Sequence, residues 1–129
     1  MSLTTTISNR QNGTDIVRVT LAWTSAADGS ASGDTPSLSG ELMKVVFDPG
    51  SAAPTANYDI TLNDANGFDV LAGFGANLSA TVTTQLKPGI AFKDGTTTSV
   101  APTVIDGVLT LAVTNAGDTK SGSVVLYLR

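Results

Sequence analysis

From Ile16 to Thr24 the chain reads Ile-Val-Arg-Val-Thr-Leu-Ala-Trp-Thr. Val17, Val19, Leu21 and Trp23 fall on one side of an extended backbone, and Arg18, Thr20 and Ala22 on the other. Successive side chains of a strand point to opposite faces, so this alternation marks a half-buried β-strand. Trp23 is in phase with the apolar side, which makes it a core anchor rather than a platform for a sugar ring. The C-terminal stretch repeats the pattern: Val124, Leu126 and Leu128 oppose Val125, Tyr127 and Arg129. Just before it, Leu109, Leu111 and Val113 oppose Thr110, Ala112 and Thr114.

Working outward, the other segments are short and punctuated by turn residues. Residues 37–47 read as one or two strands in which Met43, Val45 and Phe47 alternate with Leu42, Lys44 and Val46. Both faces are partly apolar, so a cover is expected on each side, the second being a loop or a neighbouring subunit. Gly40 marks a bulge or bend, and Asp48-Pro49-Gly50 ends the segment. Tyr58, Ile60 and Leu62 share a face. Asn66-Gly67 then predicts a hairpin turn leading into Phe68–Leu71, because both turn residues tolerate positive φ. Residues 72–80 break the alternation, as a short helical turn or an irregular crossover would. Thr81–Leu86 reads as a strand closed by Pro88-Gly89, Ile90–Phe92 as a short apolar patch, and Thr96–Ser99 as a polar edge. Asp106-Gly107 predicts a second tight turn, and 115–122 a polar hairpin tip. Residues 25–36 read as a long loop, and residues 1–14 as an extended polar arm ending in a turn at Gln11–Thr14. About eight short strands separated by turns predict an all-β fold, an antiparallel two-sheet sandwich of jelly-roll type over 15–129 preceded by the arm.

Composition agrees. The chain has 129 residues, enough for one domain with a real core. Ser and Thr make up about a quarter of it while Glu, Lys and Arg are scarce, a balance that suits strands and turns rather than helices. Seven basic against eleven acidic residues leave a net charge of -4, which argues against binding to nucleic acid. There is no His and no Cys, so no imidazole base, thiolate nucleophile or Cys/His zinc site is available. Of the acidic residues only Glu41 is not Asp, and most Asp sit beside Gly, Asn or Pro, where they serve turns. Aligning Gly67 with the invariant glycine of a calcium loop puts Leu62 at the first ligand position, so that reading fails. No enzyme, cofactor or metal site is expected. The first ten residues carry no apolar signal core and no apolar run approaches ~20 residues, so neither secretion nor a membrane span is expected.

Three stretches, Tyr58–Asp64, Gly67–Gly73 and Gly75–Ser79, together with Val104–Gly107, Leu109–Val113 and Gly122–Arg129, resemble a group of small structural proteins encoded among the head genes of tailed bacteriophages. The resemblance spans roughly 16–129 and rests on overall pattern. It implies a virion protein made in the host cytoplasm and placed on the capsid surface. Its sharpest form is a decoration, or cement, protein: β-rich, often trimeric, bridging major capsid subunits. The alternative within the same resemblance is a fibre or tail domain that touches host surface glycans. The arm, through Leu3, Thr4, Thr5, Thr6, Ile7 and Arg10, is the expected clasp on a neighbouring subunit, being β-prone and outside the sandwich pattern.

Overall fold

The computed structural model describes residues 2–8, 16–91 and 100–129. Arg10, the turn at Gln11–Thr14, Phe92 and the Thr96–Ser99 edge lie outside these. The described residues form β1 (Ser2–Ser8), β2 (Val17–Thr24), β3 (Ala31–Asp34), β4 (Leu38–Pro49), β5 (Asp59–Asn63), β6 (Thr84–Leu86), β7 (Gly89–Ala91), β8 (Val100–Pro102), β9 (Val104–Gly107), β10 (Thr110–Thr114) and β11 (Ser121–Leu128). They contain no helix. Every ladder is antiparallel. One sheet runs β1-β2-β11-β4-β6, with β9 continuing the β6 side of the long β4; a second runs β3-β10-β5; β7 and β8 form a ribbon. The fold is a β-sandwich.

The alternating strands supply the core from both sheets. Val19, Leu21, Trp23, Val124, Leu126 and Leu128 are buried from the first, and Ile60, Leu62, Leu111 and Val113 from the second. Trp23 and Tyr58 meet across the sandwich with ring centroids 5.7 Å apart and planes tilted by 50°. Gly122 lies opposite Trp23 in the ladder, and a Cβ there would sit 2.6 Å from the indole Cζ2, so the absent side chain leaves room for the ring.

Several expectations are corrected. The 25–36 stretch is not one loop: Ala26 N–H donates to the Ser30 carbonyl (2.8 Å) in a tight turn, and Ala31–Asp34 then pairs with β10. Its Ala-Ser-Gly-Asp sequence has no strand propensity of its own, and the ladder offered by β10 overrides that. In β4 the bulge lies at Met43, not Gly40. Tyr127 pairs with Lys44 but Leu128 with Leu42, which leaves Met43 as the extra residue. That slip lets Leu42, Val45 and Phe47 all face the core despite their spacing. Residues 72–80 take the irregular-crossover form. Ala72 N–H donates to the Asp69 carbonyl and Phe74 N–H to that of Leu71, each at 3.0 Å. Ala72 and Gly73 have φ of 53° and 80°, which stops a right-handed helix. The Asn66-Gly67 turn forms, but its return limb builds no strand: it makes the single Asn63–Asp69 bridge, flanked by the bonds from Asp64 N–H to the Phe68 carbonyl and from Val70 N–H to that of Leu62. Residues 115–122 are not a hairpin tip, and the chain leaving Asp106-Gly107, where a tight turn was expected, does not fold back on β9. β9 and β11 belong to the first sheet and β10 to the second, so both connections carry the chain between sheets. The 2–8 segment, expected to stand outside the sandwich, is laid along β2 from Ser2↔Thr24 to Ser8↔Arg18.

Gly75 is held where no side chain fits. Its carbonyl accepts from Ile60 N–H at 2.7 Å, and a Cβ would collide with the Ile60 carbonyl oxygen. Because the obstacle is backbone, Gly75→Ala is expected to cost about 1–3 kcal/mol. A urea titration would show this as a lower midpoint at unchanged slope.

Candidate interaction surfaces

Reactive groups in this chain are largely its carboxylates, and the fold uses them as backbone staples. Asp69 Oδ1 accepts from the amides of Leu62 (3.0 Å) and Leu71 (3.1 Å), and its Oδ2 from Gly73 N–H (3.1 Å). Asp64 Oδ1 accepts from the amides of Asn66 and Phe68 inside the Asn-Gly turn. Asp59 ties Asn77 N–H and the Asn115 side chain to β5. Asp28 accepts from both the amide and the hydroxyl of Ser30, which holds its carboxyl below the usual range. Asp28, Asp64 and Asp69 close turns by the mechanism that favours Asp there, while Asp59 ties together distant segments. Among the described residues no three acidic side chains gather where a metal ion would sit, and no helix is long and apolar enough to cross a membrane.

Among the described residues, Tyr58 is the titrating group with a large shift. Burial, with the Asp48 carboxylate adding to it, pushes its phenol up to about 12 from 10.0. The neutral form is the one the core tolerates, so the unfolded chain ionises first as pH rises. Folded stability is therefore expected to be full below pH 10 and to fall between 10 and about 12. Chemical denaturation across that window checks it, with Tyr58→Phe flattening the fall.

What remains is surface, and the first sheet presents a broad face. The registers of β1, β2, β11 and β4 line up three rows of side chains on its outer side: Thr4, Ala22, Ser123, Asp48; then Thr6, Thr20, Val125, Val46; then Ser8, Arg18, Tyr127, Lys44. The middle row of this face is apolar over β11 and β4, where Val125 pairs directly with Val46, and carries hydroxyls over β1 and β2. One end is cationic, with Lys44 Nζ 4.5 Å from the centroid of the Tyr127 ring. Toward the other end a shallow depression of about 350 Å³ opens over Gly122, rimmed by Thr4, Ala22, Asp48 and Ser123. Thr4, Thr6, Arg18, Ala22 and Asp48 on this face are exposed and Val46 and Val125 half-buried, and Thr83 donates its hydroxyl to Asp48 at the rim.

Part of this face was signalled in the sequence by the two-sided apolarity of residues 42–47. Its extent was not legible, because it depends on which strands become neighbours. The expected contact residues Leu3, Thr4, Thr5, Thr6 and Ile7 all lie in β1, the edge strand of the same sheet; Arg10 is outside the described residues. Leu3 is partly buried against the core, over Gly33 of β3. Thr4 and Thr6 are exposed, and Ile7 is 40% exposed. The sequence reading missed an apolar groove of about 440 Å³ between Asp64, Phe68, Thr103 and Val104, in which Phe68 and Val104 are exposed. The Asn-Gly turn and the crossover raise Phe68 and Phe74 to the surface, a placement no periodicity announces. No family model, curated protein or solved structure matches the chain.

Proposed function

We propose that this chain is a structural protein of a phage virion, a capsid decoration protein that stabilises the head by bridging major capsid subunits. Its work is adhesive and involves no bond-making chemistry. The observation that carries the reading is the outer face of β1-β2-β11-β4, with half-buried Val46 and Val125 side by side, the hydroxyls of Thr6 and Thr20 beside them in the row, Ser123 and Asp48 toward one end and Tyr127 and Lys44 toward the other. Four strands about 4.8 Å apart and seven residues long at about 3.4 Å each span about 450 Å². A stable interface takes about 800 Å² from each partner. One such face therefore binds weakly, and strength comes from many copies, or several linked ones, engaging a repetitive shell at high effective concentration. The hydroxyl and apolar side chains of the face's middle row suit a contact made by shape and hydrogen bonds, and Arg18, Lys44 and Asp48 at its two ends add charge to be matched. The resemblance of 58–79 and 104–129 to small phage head proteins supplies the identity of the shell.

The test is copy number in purified particles by quantitative mass spectrometry, with a face variant beside it. Hundreds of copies per head are expected, falling at least tenfold for Val125→Arg with the fold intact. A handful of copies, or occupancy indifferent to Val125→Arg, overturns the proposal. The exposed Phe68 and Phe74 favour the second reading, a fibre or tail domain stacking host glycans on aromatic rings. Saturable binding to host cells without capsid, lost in Phe74→Ala, would select it.

A further inference from the structure

Most sheet edges in the described structure are blunted. β6 and β9 are short and divide one edge of β4 between them. β5 is flanked by the 69–78 crossover through the Asn63–Asp69 and Tyr58–Leu78 bridges. β3 has four residues and carries Asp34. β1 is the exception. It runs seven residues in unbroken register with β2, and no described strand pairs with its other side. It has no Lys, no Pro and no bulge, the devices by which natural sheets discourage edge pairing.

The sequence of β1 also names its partner. Ser2-Leu3-Thr4-Thr5-Thr6-Ile7-Ser8 is a chemical palindrome about Thr5. Laid antiparallel on a second copy, Ser2 meets Ser8, Leu3 meets Ile7, Thr4 meets Thr6, and Thr5 meets itself. Every pair is matched in kind, on both faces of the sheet, and no charge faces a charge. Cross-strand hydroxyl and apolar pairs are the favourable unit of a ladder. A two-fold contact must be self-complementary in this way, and Ile7, left 40% exposed, gains an apolar neighbour in Leu3 of the second copy.

We infer that β1 pairs antiparallel with β1 of a second copy of this chain, across a two-fold axis at Thr5, to make one continuous sheet. The axis stands perpendicular to the sheet, so both outer faces stay on the same side. Two faces of about 450 Å² then present about 900 Å² together, which reaches the size a stable interface needs. The benefit of pairing rests on the shell-binding proposal; the pairing itself does not. Each copy uses its one bare edge, so this contact closes at two, and the trimer implied by the sequence resemblance would need another surface.

The test uses the purified full-length chain with no shell present, so it can fail without the shell-binding proposal failing. Sedimentation equilibrium at micromolar concentration is expected to give twice the 13.1 kDa chain mass. The double variant Thr4→Lys with Thr6→Lys puts lysine opposite lysine on the exposed face. It is expected to weaken association at least tenfold with an unchanged far-ultraviolet circular dichroism spectrum, losing only the share of the melting temperature that dimerisation supplies. Because the chain has no Cys, Thr5→Cys provides a single thiol on the axis and is expected to oxidise to a covalent dimer far faster than Thr81→Cys, a remote exposed control. A one-chain mass for the wild type, association unaffected by the lysines, or equal cross-linking of the two cysteine variants overturns the inference.

Discussion

Trp23→Ala is expected to lower folding stability by about 3–5 kcal/mol, the usual cost of emptying a buried aromatic site. The site is poorly able to collapse. On one side the indole is backed by Gly122, which has no side chain to move inward, and on the other it meets Tyr58 at 5.7 Å. Gly122 sits on a strand held by a long ladder, and Tyr58, just before β5, is held by the Tyr58–Leu78 bridge. A domain of this size has about 5–15 kcal/mol in total, so the variant loses a large share of it. The indole Nε1 meets no acceptor among the described residues although it is buried. Trp23→Phe removes that unpaired donor along with some volume, and is expected to cost clearly less than Trp23→Ala. Guanidinium titrations of the three proteins check the order; equal losses would mean that packing volume at this position does not matter.

Asp69→Ala is expected to cost about 2–5 kcal/mol. The carboxylate takes the place of a strand that is missing. Beyond Asn63 the return limb of the Asn-Gly turn does not build a ladder, and Asp69 accepts instead from Leu62 of β5 and from Leu71 and Gly73 of the crossover. Removing it leaves partly buried amides without an acceptor, at about 1–3 kcal/mol each. Asp69→Asn keeps one carbonyl oxygen for the Leu62 and Leu71 amides and is expected to recover about half of the loss. Thermal melts give the stabilities. Hydrogen exchange locates the effect: faster exchange is expected at Leu62, Leu71 and Gly73, with the β2–β11 ladder following only the global loss.

How much was readable in advance follows from what each signal depends on. β2, β10 and β11 alternate strictly because one face of each is core and the other is not, so their sequence carries their phase. The Asn66-Gly67 turn was readable because its backbone requirement is local. Met43 was not, since the bulge exists only relative to β11 and a two-sided apolar strand shows no phase of its own. β3 was not, since Ala31–Asp34 becomes a strand only beside β10. The crossings at Asp106-Gly107 and 115–122 looked like a tight turn and a hairpin tip because turn chemistry reports a change of direction, not the sheet the chain enters next. The role of β1 was half legible. Its uncharged, β-prone sequence set it apart, but its place in the sheet depends on β2, and its palindrome acquires meaning only once one side is seen to be bare.

The candidate surface divides in the same way. The apolar residues of 42–47 that had no core to enter pointed to an outside cover, and Val46 sits half-buried beside Val125 on the outer face. The rest of that face is a product of strand order. Cryo-electron microscopy of a particle carrying the protein tests the central claim most directly. The account predicts density that seats the outer face of β1-β2-β11-β4 on the shell, with Val46 and Val125 at the contact; density that leaves this face open to solvent, or that places the chain at the tip of a fibre, would contradict it.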